Sequence, residues 1–243
     1  MLSADCCVLF PDCSLFSMHI IEIYKSIQGE SSFTGLPCIF VRLAGCNLRC
    51  TWCDSEYTFV GGKKMSLDEV AAEIHKLAPV KLVEITGGEP MLQERELLPF
   101  IDRLLAAGYT LLLETSGERP LTKVPKAVHK IVDVKCPGSG EGESFNLANL
   151  KALTHNDEIK FVVTDRSDYE FARDFARTHG LEKLVGNVIL SPAFRKDAGP
   201  ARDTANCLLD PQDLVAWMLE DRWNARLGLQ IHKYIWEPMT KGV

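Results

Sequence analysis

The chain has 243 residues, 46% of them hydrophobic and 25% charged, and its 33 acidic and 27 basic side chains leave a net charge of −6. That balance describes an ordinary globular chain, excludes a disordered one, and argues against a nucleic-acid partner or any general polyanion-binding role. No apolar run is long enough to cross a bilayer, so no membrane partner is expected, and nine cysteines, an odd number in a chain of this length, do not make a small disulfide scaffold.

In chain order, the N-terminal "MLSADCCVLFPDCSLFS" comes first. It lacks the basic start of a secretory signal and the Arg-rich, acid-poor character of a transit peptide. Residues 1–17 therefore read as a loose extension ahead of one domain spanning 18–243, and the reducing chemistry of the cysteines points to a cytoplasmic protein. From Met18 onward, β-rich runs alternate with amphipathic helices. The spacing predicts strands at 38–45, 82–86, 110–115, 131–135, 159–164 and 187–192, with a further one within 227–236. Most are continuously apolar, as in strands covered on both faces. Helices are expected at 66–78, where Ser66 and Glu69 form a capping box, and at 94–108, where Pro99 argues for a kink or a late start. Two more are expected at 167–180 and 210–223, and "PGSGEGES" at 137–144 reads as a flexible loop.

Repeated βα units imply a parallel sheet with right-handed crossovers, and in such sheets ligands sit at the C-terminal ends of the strands. Each suggestive polar motif follows a strand: "GCNLRC", "TGGEP", "ETSGE", "KCPGSGEG" and "SPAF". They should converge on one mouth.

The most telling stretch is "CNLRCTWCDS" at 46–55. Cys46, Cys50 and Cys53 are spaced C-x3-C-x2-C on a polar loop that offers no apolar reason to cluster. Structural zinc needs a fourth ligand, which Cys38 or Cys136 could give only if geometry allowed. A cluster that merely carries electrons normally takes four cysteines as well. Cys38 and Cys207 read as buried apolar residues. Three thiolates on a four-iron cluster leave one iron open to chelate a small molecule. The amino and carboxylate groups of S-adenosylmethionine suit it, and electron transfer then releases a 5′-deoxyadenosyl radical.

On these residues the sequence resembles the radical S-adenosylmethionine enzymes, whose hallmark is this triad with an aromatic residue, here Trp52, before the last cysteine. "TGGEP" at 86–90 looks like that superfamily's GGE motif, in which glycines let backbone approach the methionine amino group. The stretch "EIYKSIQGESSFTGLPCIFVRLAGCNLRCTWCDSEYT" at 22–58 is further similar to the 7-carboxy-7-deazaguanine synthase family, and the likeness runs on through "LETSG", "VDVKCPGSGE", "LSPAF" and "LQIHKYIW". Ser31 stands where that family usually has glycine, and the tail "MTKGV" runs past the end of some relatives.

The resemblance implies a partial (β/α)6 barrel, a homodimer, and an electron donor such as flavodoxin. It implies a lyase that converts 6-carboxy-5,6,7,8-tetrahydropterin to 7-carboxy-7-deazaguanine with loss of ammonia, using a [4Fe-4S] cluster, S-adenosylmethionine and Mg2+. By motif match, Cys46, Cys50 and Cys53 hold the cluster and Ser55 contacts Mg2+. Trp52, Cys53, Asp54, Gly88, Ser116, Asp133, Val134 and Lys135 meet S-adenosylmethionine. Ile27, Gln28, Gly29, Arg42, Thr86, Leu190, Ser191, Pro192, Ala193 and Pro238 meet the substrate, with Arg42 clamping its carboxylate. Plainer readings stand beside these: a structural ion pair for Arg42, a turn for Gln28-Gly29, a cap for Asp54. Glu84 and Glu114 read as buried partners of cations, and His232 as a packed residue of the last strand. Within the superfamily, the alternative is an activating enzyme that installs a glycyl radical on a partner protein.

Overall fold

The computed structural model describes residues 16–243, so the extension expected at the N-terminus lies almost wholly outside the described residues. Nine strands form one sheet: β1 (Ser17–Ile27), β2 (Pro37–Leu43), β3 (Lys63–Ser66), β4 (Leu82–Gly87), β5 (Thr110–Thr115), β6 (His129–Asp133), β7 (Glu158–Val163), β8 (Asn187–Pro192) and β9 (Arg226–Leu227). Their spatial order is β3-β1-β2-β4-β5-β6-β7-β8-β9. From β2 to β9 every pairing is parallel, while β1 runs antiparallel to both β2 and β3. The six full parallel strands are the six apolar runs of the sequence, and with their helices they give the expected partial barrel.

The helices follow the sheet: α1 (Leu67–Lys76), α2 (Glu94–Ala106), α3 (Arg166–His179), α4 (Leu181–Leu184), α5 (Pro211–Glu220) and α6 (His232–Ile235). The Ser66–Glu69 capping box is formed, with each side chain taking the other residue's backbone N–H. In α2, Pro99 lies inside the helix rather than at its start. It leaves the carbonyl of Arg95 without a helical partner, and Arg95 is exposed to water. Leu67, Val70 and Ile74 of α1 and Leu97, Phe100, Ile101 and Leu104 of α2 join Val83, Ile85, Leu111 and Leu113 of the sheet in one core. Burial of each such side chain contributes about 1.5–3 kcal/mol.

Two expectations change. β1 and β3 extend the sheet beyond the strands read from sequence: β1 is mostly half-buried and mixes polar with apolar residues, so it lacks the continuous apolar run that marks the parallel strands. At the other edge, only Arg226–Leu227 pairs with β8; the chain then turns away and His232–Ile235 coils into the short α6.

Candidate functional site

The C-terminal ends of the parallel strands surround one deep cavity. At one end lies the loop after β2. Cys46, Cys50 and Cys53 all line the cavity, all are partly buried, and none is in a disulfide. This loop has little regular structure of its own, so side chains and a neighbouring loop hold it. The Arg49 guanidinium donates to the carbonyls of Cys46 (2.8 Å) and Leu48 (2.7 Å) and stacks 4.2 Å above the Phe59 ring. The Arg49 N–H donates to Glu141, the Thr51 N–H to the Ser139 carbonyl and the Thr51 hydroxyl to the Gly138 carbonyl. The glycine-rich loop after β6 thus buttresses the cysteine loop, and Asp168 of α3 fixes it in turn by accepting from the Gly138 N–H at 2.8 Å.

Burial pushes all three thiols up, Cys50 to about 11, so a metal must displace their protons on binding. Among the described residues, no three His, Cys, Asp or Glu side chains converge on a single-ion position. Cys136 is packed in the core and Cys38 is buried in β2. Three thiols facing one space from separate points fit a polynuclear cluster, whose irons each take one thiolate, better than a lone tetrahedral ion.

Beside the cysteines, β4 ends at Gly87, pressed against Leu43 of β2, and Gly88 follows, pressed against the cysteine loop. Gly87 has φ +147°, and a Cβ there would lie 2.7 Å from the Leu43 backbone nitrogen. At Gly88 a Cβ would lie 2.6 Å from the Cβ of Cys46 and collide with the Gly45 carbonyl. Only glycine leaves this room. The next residue, Glu89, is fully buried and ties β4 to β5: it accepts from the Thr115 hydroxyl (2.7 Å) and from the Ser116 N–H (2.8 Å) and hydroxyl (2.7 Å). Asp133 and Lys135 meet at 2.8 Å at the end of β6. Burial opposes the Lys135 charge, but the neighbouring Asp133 carboxylate, and Cys50 after it, hold the ammonium above its ordinary value.

The opposite end is ionic and deeper. Gln28, just past β1, donates its amide to Glu84 and accepts from the Glu30 N–H at 2.9 Å. Lys160 of β7 pairs with Glu114, with Glu30 at 2.7 Å and with Asp133 at 3.6 Å. Burial, then the charges of Glu114 and Glu30, drive the Glu84 carboxyl well above the usual range. Burial also pushes Glu30 up, yet Lys160 and His232 outweigh it and hold the carboxylate ionised. On the wall, Arg42 donates to Glu22 (2.8 Å) and the Tyr24 hydroxyl (3.0 Å), and the Tyr57 hydroxyl also donates to Glu22 (2.9 Å). Asp54 is held far below the usual range because Lys233, 2.6 Å away, outweighs burial; the Ser55 hydroxyl donates to it at 2.8 Å. The C-terminal segment closes this end: the Ile231 N–H donates to the Gly29 carbonyl, and a Cβ on Gly29 would collide with the His232 ring.

Of the residues singled out in the sequence, the cavity gathers Ile27, Gln28, Gly29, Arg42, the three cysteines, Trp52, Asp54, Ser55, Thr86, Gly88, Ser116, Asp133, Lys135 and Pro238. It does not gather Val134, Leu190, Ser191, Pro192 or Ala193. Val134 and Leu190 belong to the hydrophobic core, Ser191, Pro192 and Ala193 are buried, and the next residue, Phe194, is the one that reaches the cavity. Sequence reasoning left out Glu30, Lys160, Gln230 and Lys233 and set Glu84, Glu114 and His232 aside as structural, yet all of them line it. The available signal was a single charge inside each apolar strand: Glu84 in "LVEIT", Glu114 in "TLLLET", Lys160 in "IKFVVT".

A model of the radical SAM superfamily matches residues 41–183. The 7-carboxy-7-deazaguanine synthase of Koribacter versatilis is 70% identical over 226 residues, covering 93% of this chain and 100% of that protein. The enzyme of the same name from Chlorobaculum tepidum is 39% identical over 230 residues, covering 93% and 97%. Among solved structures, the crystal structure of QueE from Escherichia coli matches with a TM-score of 0.70 at 26% identity, over 88% of this chain and 93% of the other.

Proposed function

The chain belongs to the 7-carboxy-7-deazaguanine synthase family of the radical SAM superfamily, and from that premise we propose how its cavity divides the work. The enzyme is a lyase whose substrate is 6-carboxy-5,6,7,8-tetrahydropterin. The substrate loses its C6 hydrogen, its ring contracts, ammonia leaves, and 7-carboxy-7-deazaguanine results. The [4Fe-4S] cluster and S-adenosylmethionine, when bound, supply the 5′-deoxyadenosyl radical that takes that hydrogen.

Cys46, Cys50 and Cys53 hold the cluster. Gly87 and Gly88 give the cofactor a side-chain-free edge next to Cys46, and Ser116, oriented by Glu89, offers it a hydroxyl from β5. Trp52, Asp54, Asp133 and Lys135 complete that end. Gln28, Glu84, Glu114 and Lys160 form a floor of fixed donors and acceptors suited to the amide and amino edges of a pterin, with Ile27, Gly29 and Thr86 beside it. Arg42 keeps nitrogen donors free beyond those used by Glu22 and Tyr24, and these meet the substrate carboxylate. Mg2+ would sit at Ser55, with substrate and water oxygens as its other ligands; the hydroxyl now donates to Asp54 and must turn to reach it. Binding of an electron donor such as flavodoxin and assembly as a homodimer are carried by the family likeness. No helix among the described residues is long and apolar enough to cross a membrane.

The observation that carries this reading is the joining of the three-cysteine loop and the Gln28–Glu84–Glu114–Lys160 floor in one cavity. The test is anaerobic reconstitution followed by reductant, S-adenosylmethionine and the carboxytetrahydropterin. Product of the deazaguanine mass is expected. Formation of 5′-deoxyadenosine with no such product would favour the activating-enzyme alternative.

A further inference from the structure

The last six residues, Pro238 to Val243, all line the mouth of the cavity. They reach it because the segment before them is pinned on both sides. Lys233, buried within α6, pairs with Asp54 of the cysteine loop, and the carbonyl of Ile235 accepts from Arg202 at 2.9 Å. Past Pro238, which is buried, residues 239–242 are exposed and Val243 is half-buried, and the segment lies over the Arg42 wall. There the Lys241 ammonium sits 4.2 Å above the ring of Tyr57, the same tyrosine whose hydroxyl donates to Glu22. A Cβ on Gly242 would lie 3.9 Å from Glu22.

The charges on this wall do not cancel. Glu22 is matched by Arg42, and Asp54 by Lys233. Among the described residues Lys241 has no carboxylate within ion-pair distance, so its charge is balanced only by the aromatic face beneath it. A cation–π contact at a rim is weak enough to be exchanged for a carboxylate. Among these side chains three cations, Arg42, Lys233 and Lys241, meet two anions, Glu22 and Asp54, so one positive charge is left over.

We propose that Lys241 is a substrate-binding residue: the C-terminal tail acts as a strap whose ammonium joins Arg42 in holding the carboxylate of the substrate. This rests on the proposed pterin reading and adds to it a determinant of specificity for a carboxylated ligand. The Tyr57 ring holds the ammonium on the wall where Tyr57 and Arg42 share the Glu22 carboxylate.

The experiment compares two stable probes, 6-carboxypterin and pterin without the carboxyl group, by anaerobic titration of the cluster-loaded protein with S-adenosylmethionine. Lys241→Met should weaken 6-carboxypterin about tenfold, the weight of one charge-assisted hydrogen bond, and leave pterin unchanged. Lys241→Arg should restore most of the loss. In turnover, the Met variant should raise KM and keep kcat within about twofold, as loss of uniform binding does. Equal weakening of both probes would overturn the proposal, since it would mean lost packing. So would a Met variant that binds 6-carboxypterin as well as the parent does. If the parent protein itself neither binds 6-carboxypterin nor turns over its reduced form, the pterin reading fails first, and that result is distinct from either of these.

Discussion

The two ends of the cavity are built in opposite ways. The cluster end is local: three cysteines within eight residues, on a loop held by backbone hydrogen bonds and by Arg49. The floor is distributed: Gln28, Glu84, Glu114 and Lys160 come from four separate places in the chain and meet only once the sheet has closed. A metal cluster needs ligand spacing, which a short loop can encode alone. Recognition of a flat polar molecule needs donors and acceptors at several azimuths, which neighbouring strands supply one at a time.

The two ends should therefore fail differently when mutated. The largest effect is expected at the cluster end. Cys50→Ala should lose the cluster's absorption and all product while melting close to the parent apoprotein, whereas Cys38→Ala, altering a buried thiol of β2, should keep cluster and activity. Next is the floor. Lys160→Met strands the Glu30 and Glu114 carboxylates, and breaking a buried pair costs about 3–5 kcal/mol; urea denaturation should show that loss.

Smaller effects sharpen the same contrast. Arg42→Lys keeps the charge but cannot reach Glu22, Tyr24 and a carboxylate together. Affinity for 6-carboxypterin should fall about tenfold, with iron content unchanged. Glu84 gives a test by pH. Its folded pKa lies above the unfolded one, so its contribution to stability is fully present below the unfolded value and is lost as pH rises through the folded value. Glu84→Gln removes this titration. The variant's advantage in urea midpoint over the parent should therefore grow as pH rises above the ordinary carboxylate value of about 4.3. The smallest change is at Ser31, where the family usually has glycine and the backbone has φ +60°. Ser31→Gly should stabilise by up to about 1 kcal/mol, since a side chain is disfavoured in that region; the loss of the Ser31 hydroxyl as acceptor for the Phe33 N–H sets the upper limit.

What could be read in the sequence follows the same division. The six parallel strands, the capping box of α1, the cysteine loop and the two glycines after β4 are each specified by residues close in the chain. The floor was visible only as isolated charges in apolar strands, and a charge in a strand does not say which neighbour it will face. Glu84 reads as the partner of a cation in the sequence; in the fold, burial and the charges of Glu114 and Glu30 push its carboxyl well above the usual range, against the lowering effect of the Gln28 amide. Leu190 to Ala193 follow a strand as the other motifs do, but β8 holds them in the interior and only Phe194 emerges. The C-terminal stretch "LGLQIHKYIW" has strand-like composition, yet its docking on Gly29 and Asp54 selects a helical turn.

The central claim is that both ends of the cavity serve one substrate at once, and transfer of hydrogen between them tests it most directly. Carboxytetrahydropterin carrying deuterium at C6 is incubated with the reduced, cluster-loaded protein and S-adenosylmethionine, and the adenosyl products are analysed by mass. The account predicts deuterium in the 5′-deoxyadenosyl group, accompanied by 7-carboxy-7-deazaguanine. An adenosyl group free of deuterium while the product accumulates would contradict it.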